Sequence, residues 1–335
     1  MKNLLYIGNA LSNKGKATTV IDTLSRHLKK NYKVKIASTK SNKIWRLLDM
    51  MKLVVANKSN TDYVLIDTYS TSNFYFALII SQLCRLFKLN YINILHGGNL
   101  EKRLKKNPKL SGLIFKNAYK LVAPSNFLKS TYETYGYNEV LHIPNSIEIE
   151  DYKFKEREIS DIKLFWVRSF SSLYNPEQAI LVLEKLLQLN YNASLTMVGP
   201  DVDGSLLKVK ELAKDKKLNV NFTGKLSILE WIELSEDFNV FINTTNFDNT
   251  PVSVIEAMAL GLPVVSTNVG GMPFLITHNT DGLLVPPKDV SSMVNAIIKL
   301  KLDNELRIKL IRNARTKVEN FSWNKVKSKW EFVLS

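Results

Sequence analysis

"FDNTPVSVIEAMALGLPVV", Phe247–Val265, carries the reading of the fold and poses its main chemical question. Proline suits the first residue of a helix, so Pro251 reads as N1 and Thr250 as the residue that caps the free amides. From Pro251 to Leu260 nearly every residue is apolar or small, apart from Ser253 and Glu256. These two lie three apart and share one stripe of a helix that is otherwise greasy all round, which marks it as buried. A carboxylate in such a place must be paired or must serve a ligand. Glu256 therefore faces either a neighbouring cation of the core or a ligand.

Outward from this helix, short β-rich runs alternate with helix-length segments. In the first half "NLLYIG", "KVKIAS", "YVLID", "YINILH", "YKLVAP" and "VLHIP" read as strands; in the second, "KLFWV", "ASLTMVG", "NVNFTG", "FNVFINT", "LPVVST" and "GLLVP". Such alternation implies parallel sheets with helices on both faces. The charge-dense "EIEDYKFKEREISD" interrupts it and is the best linker candidate. The expected architecture is α/β, two facing doubly wound Rossmann-like domains with a cleft between them, spanning 1–150 and 151–320. Residues 321–335 form a terminal helix returning toward the first domain, with Trp323 and Trp330 as packing residues. Ligands of such sheets bind at the carboxyl ends of the strands.

The chain has 335 residues, enough for two cores, and a single cysteine, Cys84, which excludes an intramolecular disulfide and fits a reducing compartment. The start "MKNLLYIGNA" holds too short an apolar run for a signal peptide, and "FYFALIISQLC" is too short to span a bilayer. A cytoplasmic protein, peripheral at the inner face of the membrane, is expected. Net charge is +15 and unevenly placed: residues 1–150 carry 23 Lys+Arg against 9 Asp+Glu, and residues 151–335 carry 23 against 22. The basic half points to an anionic partner, or else to a solvated basic surface. An anionic membrane is favoured over nucleic acid, for which no zinc-finger spacing or aromatic sheet motif is present.

A helix starting at Thr250–Pro251 offers free amides and a positive dipole end to an anion. Asp248 lies just outside that start and Glu256 about one and a half turns inside it. A carboxylate can accept two hydroxyl hydrogens at once, which suits a ribose diol or adjacent sugar hydroxyls. "IGNALSNKGKATTVI" joins a strand to a helix but is neither GxGxxG nor a Walker A loop, which argues against a dinucleotide or ATP site. "DVD", Asp201–Asp203, imitates a metal-binding DxD but reads as a turn; no metal and no other cofactor is expected.

"DNTPVSVIEAMALGLPVVSTNVGGMPFLI" resembles the signature of the retaining glycosyltransferases of family four, also called glycosyl transferases group 1, which have the GT-B fold. "SLTMVGPD", "NVNFTGKLS", "LVAPSNFLKSTYETYG" and "LHIPNSIEI" resemble further segments of that family, in its order. The resemblance implies that Glu256 binds the nucleotide ribose and that Asp248, replacing a glutamate, contacts the donor sugar, with Asn249, Thr250, Pro251 and Val252 around them. It implies that Arg168 in "FWVRSFSSLYNPEQAI" holds the pyrophosphate. The family's following lysine is absent, and Tyr174 and Asn175 stand in its place. Gly199 and Lys225 fall on strands flanking the base, and Gly15 on the loop against the donor phosphates. His96 in "ILHGGNL" falls where a histidine touches the donor sugar near the reacting carbon; read alone, it is equally a core histidine.

The expected function is transfer of a sugar, with retention, from a nucleotide diphosphate sugar (UDP by default) to an acceptor hydroxyl, with His96, Asp248 and Arg168 at the reaction. The acceptor is expected to be a lipid-linked saccharide of surface polysaccharide assembly, held with the membrane by the first domain through Lys102, Arg103, Lys105 and Lys106. Two rivals are a nucleotide-sugar epimerase of the same fold and a non-catalytic scaffold that binds nucleotide sugar or membrane.

Overall fold

The computed structural model describes residues 1–11, 19–96 and 99–335. In chain order it shows β1 (Asn3–Ile7), α1 (Val20–Leu28), β2 (Lys33–Ala37), α2 (Lys43–Asn57), β3 (Tyr63–Thr68), α3 (Asn73–Leu86) and β4 (Asn90–Leu95). These are followed by α4 (Leu100–Lys106), α5 (Pro108–Phe115), β5 (Lys120–Ala123), α6 (Asn126–Thr134), β6 (Val140–His142), β7 (Ile162–Val167) and α7 (Pro176–Gln188). Then come β8 (Ala193–Val198), α8 (Ser205–Asp215), β9 (Val220–Gly224), α9 (Ile228–Leu234), β10 (Val240–Asn243), α10 (Val252–Ala259) and β11 (Val264–Thr267). The chain closes with α11 (Met272–Leu275), β12 (Leu283–Val285), α12 (Val290–Leu302), α13 (Asn304–Glu319) and α14 (Trp323–Val333). Each of the twelve β-rich runs of the sequence forms a strand.

Two compact units result: Met1–Ser146 with Trp323–Ser335, and Ile147–Ser322. The first holds a six-stranded parallel sheet in the order β2-β1-β3-β4-β5-β6. The second holds another, in the order β12-β11-β10-β7-β8-β9. Both are doubly wound, because successive side chains of a strand enter opposite cores. Leu4 and Tyr6 of β1 join one cluster of the first unit, Leu5 and Ile7 the other. In the second unit Leu164 and Trp166 of β7 point into one core and Phe165 into the other. Full burial of such an apolar side chain stabilises by about 1.5–3 kcal/mol, so the alternation itself commits both faces to helices.

Helix α14 supplies the first unit with part of its core. Trp330 is buried beside Tyr6 and Ile94, and Trp323 stacks on the His27 ring at 4.2 Å between centroids. Both tryptophans are packing residues.

The structure corrects two local expectations. "EIEDYKFKEREISD" lies inside the second unit and is no free linker. Ile149, Tyr152 and Ile159 are buried, and so is Arg157, whose guanidinium donates to the carbonyls of Glu236 and Leu260. The charged residues hide a regular supply of apolar anchors. Helix α10 begins at Val252, and Pro251 is its N-cap in extended conformation (φ −69°, ψ 121°), so Thr250 does not cap it.

Candidate functional site

In the second sheet β7 lies between β10 and β8, so the chain reverses its winding at β7. The crevice beyond the carboxyl ends of β7 and β10 is the place where a doubly wound sheet takes its ligand. Arg168 follows β7 directly, and Asp248 lies in the loop between β10 and α10. The order of strands therefore brings together two residues 80 positions apart: an Arg168 guanidinium nitrogen donates to Asp248 Oδ2. Both side chains are about 15% exposed or less, so the pair keeps an open side. The guanidinium carbon also sits 4.0 Å from the centre of the Tyr174 ring, a cation–π contact. Burial lowers the Arg168 pKa from its ordinary value and Tyr174 opposes that, leaving arginine charged. Tyr174, which stands in the sequence where the resemblance expects a lysine, lies as a ring under the arginine.

Two glycines shape this pair. A Cβ on Gly199 would come within 1.8 Å of the Arg168 carbonyl, and its φ of +149° suits glycine. A Cβ on Gly271 would meet the Asn249 carbonyl at 1.7 Å, and one on Gly270 the Asp248 carbonyl at 2.2 Å. The Gly270–Gly271 turn is a buttress: the Gly271 amide donates to the Asp248 carbonyl at 2.8 Å. Gly199 likewise supports Arg168 from behind.

Glu256 answers the opening question with a phenol. Tyr152 Oη donates to Glu256 Oε1 at 2.8 Å, and Glu256 is 7% exposed. Burial pushes its carboxyl up to about 7, with the Tyr152 hydrogen bond pulling the other way. The partner comes from 148–161, the linker candidate of the sequence, and among the described residues Glu256 has no ion pair with a core cation. Nothing in a charge-dense stretch distinguishes a buried tyrosine from an exposed one, so the sequence does not point to Tyr152.

Around these residues polar groups lie buried without hydrogen-bond partners: Arg168 Nε, Asn246 Oδ1 and Ser253 Oγ. Buried polar atoms are normally satisfied, so these three are free to meet a polar group or water. Beneath them, Thr244 Oγ1 donates to the Tyr174 carbonyl at 2.9 Å and accepts from Trp166 Nε1 at 3.0 Å, which ties the loop after β7 to the end of β10.

The remaining expected donor residues are distributed as follows. Asn175 takes a left-handed conformation (φ 46°) at the start of α7 and donates to Gln178 Oε1 at 2.9 Å, so it shapes the turn. Asn249 is buried, and its amide donates to Asp248 Oδ1 at 2.8 Å. Pro251 is buried, while Thr250 is half-buried and Val252 exposed at the opening of α10. Lys225 is exposed just after β9. Gly15 lies outside the described residues. Asp201 and Asp203 are engaged by their own loop and the loop after β7: Asp203 accepts from Ser171, Ser172 and Ser205, which holds its carboxyl well below the usual range, and Asp201 accepts from the Gly204 amide at 3.0 Å.

His96 belongs to the first unit, where it follows β4. Its Nε2 lies 2.8 Å from Asp67 Oδ1, and its ring stacks on Tyr69 with centroids 4.7 Å apart. Tyr6 Oη donates to the same carboxylate oxygen at 3.1 Å. The sequence gives no sign of Tyr6 and Tyr69 as partners, while for Asp67 an aspartate ending the apolar run "YVLID" is the same kind of signal as Glu256 in its apolar helix.

In α4 the four expected cations divide. Arg103 is consumed internally, donating to the Ser70 carbonyl at 2.7 Å and lying over the Phe74 and Tyr75 rings. Lys105 pairs with Glu101 at 2.7 Å. Lys102 and Lys106 are exposed beside Ser70 and Asn99 at an open pocket.

Two Rossmann-like units with an arginine–carboxylate pair and a buried glutamate at a switch point define a GT-B protein. The chain belongs to the glycosyl transferases group 1 family, whose match covers residues 148–317, about half of it. It is 27% identical over 152 residues to the Escherichia coli UDP-Gal:alpha-D-GlcNAc-diphosphoundecaprenol alpha-1,3-galactosyltransferase, a match that takes in 44% of this chain and 37% of that enzyme. The chain thus spans little more than a third of that relative's length. An uncharacterized glycosyltransferase of Methanocaldococcus jannaschii is 27% identical over 84% of this chain and 76% of its own length. Among solved structures, Anabaena Alr3699/HepE in complex with UDP and glucose superposes with a TM-score of 0.76 at 15% identity, covering 100% of this chain and 99% of that one. Among the described residues no helix is long and apolar enough to cross a membrane.

Proposed function

We propose that this chain is a glycosyltransferase that moves a sugar from a UDP-sugar to an acceptor hydroxyl with retention of anomeric configuration. The observation that carries the reading is the Arg168–Asp248 pair at the switch point, with Arg168 Nε unpartnered and Ser253 Oγ unpartnered on α10. Both of those atoms donate, which suits the oxygens of a diphosphate. The chemistry asks for stabilisation of the departing diphosphate as the glycosidic bond lengthens, and Arg168 with the amides opening α10 provides it through fixed charge and dipoles. Asp248 then exchanges part of its hold on Arg168 for the donor sugar, and Glu256 accepts from the ribose hydroxyls. Attack is from the front face, with the leaving phosphate taking the acceptor proton. His96, held by Asp67, contacts the sugar.

The acceptor in this reading is a lipid-linked saccharide at an anionic membrane. The excess of cations in residues 1–150 supports it, as does the name of the Escherichia coli relative, whose substrate is a diphosphoundecaprenol. A transfer assay with UDP-sugars and a lipid-linked acceptor, alongside Glu256→Ala, tests the reading. Release of an epimer without acceptor would assign an epimerase instead, and no turnover despite nucleotide binding would assign a scaffold.

A further inference from the structure

Helices α2 and α3 lie on the same face of the first sheet and share a core, with Met50 and Val54 of α2 packed in the cluster that holds Ala77, Ile80 and Cys84 of α3. Their outer faces ought then to be polar. They are not. On α2 the residues Ile44, Trp45, Leu48 and Val55 are exposed, the first two by 71% and 65%. Their spacing of 1, 4 and 11 from Ile44 puts them on one stripe. On α3 the exposed apolar residues are Tyr75, Ile79 and Leu86, again at helical spacing, with Leu86 exposed by 72%. A double stripe of this kind is a surface made to be covered.

Its charge says by what. Lys40 and Lys43 stand exposed before and at the start of α2 and Lys52 along it, Lys58 after it lies over the Phe87 ring, Arg85 near the end of α3 donates to Gln82, and Lys88 is exposed just beyond. Residues 69–89 contain no Asp or Glu, and the only one in α2, Asp49, accepts from Ser38 Oγ at 2.6 Å. Apolar stripes with an exposed tryptophan, ringed by lysine and nearly free of acids, match the interface of an anionic bilayer, where the ring and alkyl groups enter the headgroup region and the ammonium groups meet phosphate. A protein partner would more commonly call for acids among the bases to set its register.

We infer that the outer face of α2 and α3 is the surface by which this protein docks on an anionic lipid bilayer, lying in the interface without crossing it. This moves the contact away from α4, whose Arg103 and Lys105 are already engaged. It deepens the membrane part of the reading above, and its test needs no turnover.

The experiment is co-sedimentation of the full chain with vesicles of phosphatidylcholine mixed with phosphatidylglycerol, against vesicles of phosphatidylcholine alone, for wild type, Ile44→Ser/Trp45→Ser/Leu48→Ser, Lys43→Glu/Lys52→Glu and Lys102→Ala/Lys106→Ala. Wild type should bind the mixed vesicles and be released by salt. Removing the three apolar groups should weaken binding at least about tenfold, and reversing the two lysines should weaken it about fivefold or more per site. The α4 variant should retain most of the binding. Quenching of tryptophan fluorescence by brominated lipid should fall in Trp45→Phe. Thermal unfolding with and without UDP shows whether each variant is folded and whether the donor reading holds independently. Unchanged sedimentation of the α2 variants, or failure of wild type to bind, would overturn the inference. So would a wild-type dimer that the triple serine variant dissociates while vesicle binding is absent, since that would make the face a contact between two copies.

Discussion

Tyr152 Oη donates a 2.8 Å hydrogen bond to Glu256 Oε1, joining residues 104 positions apart inside the second unit. Burial holds the carboxyl up at about 7 against the pull of that bond, which puts the titration of Glu256 near neutral pH. That makes it both a proposed ligand for ribose and a source of pH-dependent stability.

The stability consequence has a definite sign. Between the unfolded carboxyl value of 4.5 and about 7 the folded protein holds a proton that the unfolded chain has released. Stability is therefore greatest below pH 4.5 from this group, falls as pH rises to about 7, and levels above that. The span amounts to about 3 kcal/mol at about 1.4 kcal/mol per pKa unit. Chemical denaturation of wild type and Glu256→Gln across pH 5–8 should show a difference that grows with pH in favour of the variant. Tyr152→Phe removes a hydrogen bond that favours the charged form, and should move the wild-type slope to higher pH. A pH-independent difference would mean that Glu256 does not titrate in this range.

In the proposed reading Arg168 acts on the departing diphosphate more than on nucleotide already bound. Arg168→Ala should lower kcat by about a hundredfold or more with a smaller change in KM, as expected for a contact that tightens in the transition state. Arg168→Lys should restore little, because an ammonium lacks the planar fork that meets Asp248 and lies over Tyr174. Steady-state transfer kinetics separate these outcomes; a loss confined to KM would make Arg168 a simple anchor.

Gly271→Ala tests the buttress behind Asp248. Its φ of −81° is open to any residue, so the cost comes from the Cβ meeting the Asn249 carbonyl. Equilibrium unfolding should show a loss of about 2–4 kcal/mol, in the range of severe packing substitutions. The thermal shift given by UDP should shrink as well, since the displaced segment includes Asp248. Retained stability with lost nucleotide binding would show that the turn shapes the site without supporting the core.

Asp67 should matter to activity only through His96. Asp67→Ala and His96→Ala are each expected to slow transfer, and the double variant to be little worse than either alone. A coupling of about 0.5–3 kcal/mol is typical of groups in one hydrogen-bonded network. Additive losses measured in the double-mutant cycle would separate the two residues functionally.

Much of this molecule was legible in its sequence. The twelve β-rich runs became strands because short, nearly continuous apolar runs can be buried on both sides in a covered parallel sheet, and that pattern is local. The apolar helix holding Glu256 was legible for the same reason, since a carboxylate in a greasy helix has to have a purpose. The Asp201–Asp203 turn was equally readable, its carboxylates being satisfied by neighbours within five residues in the loop or just across from it in the loop after β7.

The partners were decided only by the tertiary structure. Arg168 meets Asp248 because β10 inserts beside β7, and no periodicity along the chain announces which strand will be the neighbour. Tyr152 meets Glu256, Asp67 meets His96 and Gly271 meets the Asn249 carbonyl for the same reason. A hydrogen bond needs two atoms about 3 Å apart, and distance in space is set by the order of strands and the packing of helices rather than by position in the chain. The exposed stripes of α2 and α3 belong here too: apolar residues at helical spacing predict burial, and only the packed structure shows that one side of each helix was left uncovered.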